Sequence, residues 1–305
     1  MSSKKKPKKE VDHMSHSSRI DFCRCRQLYY YRKILGIQVK RKMLPAAVKM
    51  GTIWDYFITS LYSREKFKDR FWPLVDAYDL SDQDATRLYA LIKTHRIIGI
   101  EVEQDGFIGC QHEFNYTDGN TKVHGFIDRV YETFFVETKL SARPDFYHKI
   151  HNITSQAATY FLSNDQLEYC IIEATRLPSL KTGYGKYSGE DSKSYMMRIY
   201  QDILSRPSFY FPGFNRDEKF FGKRFWRSEF PLEEIKRDYQ LITTDIKRAI
   251  EENAFWQNFI ACYVPSQCLY LPICETGVVS ELIYEQKPKV KGGDKNAHHK
   301  QKRSP

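Results

Sequence analysis

The segment HGFIDRVYETFFVETKL, residues 124–140, reads as two strands of a hairpin that carry Asp128, Glu137 and Lys139 among Phe, Val and Ile. Successive side chains of a strand point to opposite faces, so Glu137 and Lys139 share one face and Thr138 takes the other. With the chain reversing at Glu132-Thr133 the pairing is symmetric, and Asp128 falls opposite Glu137 with the side chains about 5 Å apart. Facing like charges destabilise a sheet, and burial aggravates the repulsion unless a cation or a proton compensates it. A divalent metal supplies that compensation. An all-oxygen ligand set suits Mg²⁺ or Mn²⁺, and an adjacent Lys suits the negative charge that builds on a phosphoryl group under attack. The competing reading is an edge hairpin whose outer face carries solvated charges; a lone E-x-K favours it, and Glu-Thr is not a favoured two-residue turn.

Outward from the hairpin, strands are expected at about 108–117, 121–131 and 133–140, followed by a helix over HKIHNITSQAATYFLSN and a buried strand, LEYCIIEAT. In that helix Ile153, Gln156, Ala157 and Tyr160 fall on one face. Upstream, a helix opens at Ser17 or Ser18 and ends near Gly36. A second spans AAVKMGTIWDYFITSLYSREKF, with Trp54, Phe57, Ile58 and Leu61 on its apolar face and Asp55 beside it; a third, SDQDATRLYALIKTHRII, is opened by a Ser cap. Downstream come an aromatic strand pair at about 219–230 and a long helix opened by Pro231. Helix, meander, helix, strand is the order of an α/β core.

The chain has 305 residues, 41% hydrophobic and 15% aromatic, enough to bury a substantial core. No apolar run approaches the roughly 18 residues of a membrane span, and no apolar stretch follows the lysine-rich start, so a soluble, cytoplasmic protein is expected. The formal charge of +10 resides at the ends: residues 1–10 contribute +4 and residues 287–305 contribute +6. Residues 1–14 and 281–305 are therefore expected to be disordered basic tails, which either attract phosphate backbones or serve solubility or localisation. The middle is formally neutral and needs a local patch to bind its ligand.

The residues at the hairpin resemble those of a known family, the RecB-like branch of the PD-(D/E)xK nucleases, which includes helicase-fused and CRISPR-associated members. That branch carries GxxD, then (D/E)xK on a strand, then QxxxY on a helix. Here the matching residues are Gly125-Phe126-Ile127-Asp128, Glu137-Thr138-Lys139 and Gln156-Ala157-Ala158-Thr159-Tyr160, in the same order. The family also has GxxxH on an upstream helix, with His as a metal ligand; this chain departs from it with Gly51-Thr52-Ile53-Trp54-Asp55.

Seven cysteines, an odd number in a chain expected inside the cell, argue against a disulfide framework and for metal ligation by some of them. Cys262, Cys268 and Cys274 follow at six-residue steps, and Cys25 lies in CRCRQLYYY. This pattern resembles the iron-sulfur subset of RecB-like nucleases, in which one early Cys joins three late ones around a 4Fe-4S cluster, although the spacing departs from the CxxC of many members. Four thiolates also suit structural Zn²⁺. Cys110 and Cys170, in expected strands, read as small buried hydrophobes.

The resemblance covers about residues 15–276. It implies a restriction-endonuclease-like fold, a mixed central sheet flanked by helices, with the nuclease domain over 15–280: a core at about 50–180 and a helical, Cys-cluster part at about 186–280. It further implies a metal-dependent deoxyribonuclease, an exonuclease by preference, that acts on single-stranded or duplex DNA ends in repair, recombination or phage replication. Asp55, Asp128, Glu137 and the Thr138 carbonyl would be ligands of Mg²⁺ or Mn²⁺, Lys139 would act on water or the phosphorane charge, and Gln156 and Tyr160 would position substrate or the Lys. No helicase motif is present, so the implied partners are DNA and a helicase or recombination protein. The alternative is a nuclease-like module that holds DNA ends or a partner without cutting, which Asp55 in place of His favours.

Overall fold

A computed structural model of the chain describes residues 14–62, 67–100, 105–182, 187–217, 221–264 and 266–287. Most of each basic tail, residues 1–13 and 288–305, lies outside these, as does the end of the expected second helix at 63–66. In chain order the elements are α1 (His16–Arg24), α2 (Arg26–Tyr29) continued by a π-helical turn (Tyr30–Ile34), β1 (Ile37–Val39), α3 (Ala46–Leu61), α4 (Lys68–Tyr78) and α5 (Asp82–Ile97). They continue as β2 (Phe107–Asp118), β3 (Thr121–Tyr131), β4 (Phe134–Ser141), α6 (Ile150–Ser163), β5 (Tyr169–Arg176), α7 (Ser192–Ser205) and α8 (Pro207–Tyr210). The last are β6 (Lys223–Trp226), α9 (Leu232–Glu252), α10 (Leu271–Thr276) and β7 (Tyr284–Gln286). Among the described residues no helix is long and apolar enough to cross a membrane.

The protein is mixed α/β, with a five-stranded sheet of order β2-β3-β4-β5-β6. β3 and β4 are antiparallel, β4 and β5 parallel, and β5 and β6 antiparallel. The parallel pair needs a crossover, which α6 supplies. β5 is covered on both sides, so its Cys170–Thr175 stretch is buried throughout, as its near-continuous apolar sequence requires. Ser81 caps α5 by accepting from the Asp84 N–H, as the sequence predicts.

Two compact units share the described chain: one takes residues 14–40, 113–125 and 232–287, the other 41–112 and 126–231. Both are discontinuous, so the sequence boundary near 186 does not mark their division. The larger unit centres on Ile53, Trp54 and Phe57 of α3, Phe71 and Val75 of α4, Leu88 and Leu91 of α5, and Tyr195, Ile199 and Ile203 of α7, all buried. Each such side chain contributes about 1.5–3 kcal/mol on leaving water. His95 lies among these rings, and burial lowers it to about 3, so it is a neutral core residue. On the sheet, Arg129 pairs with Glu173 in full burial, and the same guanidinium donates to the Tyr62 hydroxyl at 2.9 Å and Thr138 Oγ1 at 3.0 Å.

Four expectations change. The first helix starts at His16, ahead of the expected Ser17 or Ser18, because Ser15 and Ser18 form a reciprocal capping box, and it breaks at Cys25, whose backbone is extended. Helix α4, with Pro73 inside it, has no counterpart in the sequence reading. The aromatic pair of strands is one strand, β6, followed by a 3-10 turn at Arg227–Glu229; residues 218–220 lie outside the described residues. Within the span read as a C-terminal tail, Tyr284 to Gln286 form β7 and pair antiparallel with β1, with Tyr284 opposite Val39. The buried Tyr284 ring, packed with Leu28, Ile37, Tyr270 and Ile273, holds that strand in place against the polar bias of its neighbours.

Candidate functional site

The β3–β4 register places Arg129 opposite Val136 and Val130 opposite Phe135. These two pairs fit a reversal at residues 132–133, and beyond them Asp128 lies close enough to Glu137 for its charge to act on that carboxyl. Gly125 starts the run for a steric reason: a Cβ there would lie 2.7 Å from Phe114 Cε1. Gly51 on α3 has no such constraint, since a Cβ would meet nothing within 4 Å.

Asp128 is held by its own hairpin, its Oδ2 accepting the Thr138 N–H at 2.8 Å. Glu137 is buried against Phe135, Ile153, Ala157 and Ile172. Its Oε1 accepts from the Lys139 ammonium and from Gln156 Nε2 at 2.7 Å. Oε2 has no hydrogen-bond partner among the described residues. Burial, then the charge of Asp128, push the Glu137 carboxyl up to about 7 against the opposing pull of Lys139 and Gln156. Burial pulls the Lys139 ammonium down, yet Glu137 and Asp128 outweigh it and hold it above its ordinary value.

The spacing of Gln156 and Tyr160, one helical turn apart on α6, brings both to this carboxylate. Gln156 Nε2 also reaches the Tyr160 hydroxyl at 2.8 Å, and its Oε1 accepts from Lys139 at 3.2 Å. The Tyr160 hydroxyl donates to the Phe126 carbonyl at 3.2 Å, tying the helix to the strand that carries Asp128. Burial, then the charges of Glu137 and Asp128, raise the Tyr160 phenol and keep it protonated.

Asp55 joins the group through a residue that the sequence reading missed. Gln111 Nε2 donates to Asp55 Oδ1 at 3.2 Å and to Asp128 Oδ1 at 3.3 Å. Its backbone is left-handed, with φ 48° inside β2, a rare geometry for a residue other than Gly. A bulge that re-aims one side chain has this character, and the nearby Gly109 was the available sequence signal. Cys110, expected to be buried, is half-exposed beside these acids, and burial raises its thiol to about 11. Cys170 is buried as expected.

All these acid-site residues belong to the larger unit, and Cys25, Cys262, Cys268 and Cys274 all belong to the other. All seven cysteines are free thiols. Cys25 occupies the break between α1 and α2, where its Sγ accepts the Asn258 N–H at 3.4 Å; Cys262 Sγ donates to the Asn258 carbonyl at 3.5 Å. The Cys268 N–H donates to the Cys262 carbonyl at 2.8 Å, and Tyr31 hydrogen-bonds to Cys274. Burial first raises the thiols of Cys262 and Cys274, and each is raised further by Cys25.

Among the described residues no group of three or more His, Cys, Asp or Glu side chains is gathered to hold a metal ion. The donor chemistry nevertheless fits one. Asp55, Asp128 and Glu137 supply oxygens, Glu137 Oε2 is buried without a hydrogen-bond partner among the described residues, and nitrogen donors compensate the three carboxylates. No protein-family model, curated protein or solved structure matches the chain.

Proposed function

We propose that the chain is a metal-dependent DNA nuclease of the RecB-like PD-(D/E)xK type, an exonuclease that hydrolyses phosphodiesters at DNA ends. The observation that carries the reading is the apposition of Asp128 and Glu137 across one hairpin, with Lys139 on Glu137 and Asp55 linked to Asp128. A solvated outer face does not explain a buried Glu137 raised to about 7. Perturbed carboxyls of this kind concentrate at functional sites.

Asp55, Asp128, Glu137 and the Thr138 carbonyl would hold one or two Mg²⁺ or Mn²⁺ ions. Bound there, the ions would supply Lewis-acid stabilisation of the phosphoryl oxygens and acidify water. The remaining roles belong to the chain. Lys139 keeps its proton and presents a positive charge to the phosphoryl group. Gln156 fixes both Lys139 and Glu137, and Tyr160 fixes Gln156 and the backbone at Phe126. Asp55 in place of the family's His keeps the ligand set all-oxygen, which favours Mg²⁺ and Mn²⁺ over softer metals.

Cys25, Cys262, Cys268 and Cys274 are proposed to hold a 4Fe-4S cluster or, with the same ligands, structural Zn²⁺. After burial, Cys268 and Cys25 raise the Cys262 thiol, and Cys25 and Cys262 raise that of Cys274, which supports the grouping. Metal ligation removes the thiol protons, so such binding weakens as pH falls.

The test is cleavage of end-labelled single-stranded and duplex DNA with Mg²⁺, with Mn²⁺ and with EDTA. Metal-dependent shortening from the ends is expected. Retention of DNA without cleavage in all three would replace the enzyme by an end-binding module, the reading that Asp55 favours.

A further inference from the structure

We propose that Gln111 is a surrogate cation: its carboxamide closes the metal position by cross-linking Asp55 and Asp128, and it must swing away before a divalent ion can bind. This rests on the metal-site reading above. The two N–H groups of one amide are shared between two carboxylates, at 3.2 and 3.5 Å from the Asp55 oxygens and 3.3 Å from Asp128 Oδ1. Asp55 and Asp128 are two of the residues that would hold the divalent ion. The three contacts are longer than the usual N–H···O distance of about 2.9–3.0 Å, so they restrain the acids weakly and are given up at modest cost.

The backbone supports this reading. A left-handed residue other than Gly costs on the order of 1 kcal/mol and persists where its surroundings over-determine it. Gln111 holds φ 48°, and its reward is reach to two acids on two elements, α3 and β3. A neutral amide compensates the carboxylates only through partial charges. It therefore compensates the two acids less fully than a divalent cation on oxygen ligands would. Lys139 and Gln156 perform the same service for Glu137, so each acid of the proposed site has an N–H donor.

A structural residue and a surrogate cation differ in the sign of their effect on metal affinity. Loss of a merely structural residue loosens the site and weakens binding; loss of a competitor tightens it. Titration calorimetry with Mn²⁺ alone, on the parent, Gln111→Ala, Gln111→Asn and Asp128→Asn, separates them. Asn tolerates a left-handed backbone and is one carbon too short to bridge, so it serves if the Ala variant fails to fold. Both Gln111 variants are expected to bind Mn²⁺ about tenfold more tightly, the worth of one charge-assisted hydrogen bond. In EDTA they are expected to melt below the parent, and saturating Mn²⁺ should remove the difference. Unchanged or weaker binding in the folded Gln111 variants, with parent binding that Asp128→Asn abolishes, would overturn the role of Gln111 and leave the metal site standing. Absence of Mn²⁺ binding in the parent would overturn both.

Discussion

If Asp128 and Glu137 are the proposed metal ligands, substitutions there should separate function from stability at the level of single residues. Asp128→Asn removes the charge that acts on Glu137; its one amide oxygen can still accept the Thr138 N–H, while its NH2 forfeits the Gln111 bond, so relief of repulsion and loss of that contact offset and the metal-free protein should stay close to the parent in stability. Cleavage should fall about 100-fold or more, and the thermal shift that Mn²⁺ gives the parent should vanish. Unfolding curves with and without Mn²⁺, beside the nuclease assay, check both; cleavage at the parent rate would remove this hairpin from the chemistry. Glu137 adds a pH dependence of definite sign. Its carboxyl ionises at 4.5 in an ordinary setting and at about 7 here, so between those values the folded, metal-free protein keeps a proton that the unfolded chain releases. This contribution to stability is fully present below pH 4.5 and is lost as pH rises to about 7. Glu137→Gln should flatten the decline in that window, measured by denaturant midpoints in EDTA. Mn²⁺ affinity of the parent should rise over the same window, because the ligand is the ionised form.

The two glycines of the motif-like segments predict opposite outcomes at the level of elements. On β3 a Cβ at Gly125 would lie 2.7 Å from the Phe114 ring, whereas at Gly51, inside α3, it would meet nothing within 4 Å. Gly125→Ala should therefore destabilise by about 1–3 kcal/mol through overpacking, and Phe114→Leu should restore most of the loss. Gly51→Ala should instead stabilise by about 0.5–1 kcal/mol, since Gly in a helix interior costs that much relative to Ala. Urea unfolding of Gly125→Ala, of its double variant with Phe114→Leu, and of Gly51→Ala checks both signs. A loss at Gly51 would mean that the position serves something besides helix geometry. The Arg129–Glu173 pair illustrates a further constraint on these strands: its partners come from β3 and β5, flank the acid-bearing β4, and are fully buried, so neither is replaceable alone.

The acids and the thiols lie in different units of the whole molecule, so metal content and cleavage are separable measurements. On the proposed reading, anaerobically purified protein is expected to be brown and to contain iron, because four-cysteine thiolate sites hold iron-sulfur clusters. Elemental analysis decides: stoichiometric zinc without iron would make the site a zinc site, and no metal would defeat both. If the thiols hold a metal, Cys268→Ala should lower the soluble yield more than any cleavage by the soluble fraction, since metal binding is coupled to folding. The thiols also link Cys25 to residues more than 230 positions away; the Asn258–Cys25 hydrogen bond is such a contact.

What the sequence determined by itself is local in origin. A period of two puts Glu137 and Lys139 on one face, a reversal at residues 132–133 pairs Asp128 with Glu137, and a spacing of four brings Gln156 to Tyr160; each follows from backbone geometry over a few residues. The Ser81 cap and the long α9 were readable for the same reason. Tertiary structure alone decided the rest. The left-handed turn of Gln111, its bridge from Asp55 to Asp128, the burial of Arg129 on Glu173, and the return of Tyr284–Gln286 onto β1 depend on partners far apart in sequence. Local propensity does not encode such contacts. They form because buried charges and buried backbone groups must find partners wherever the fold brings them.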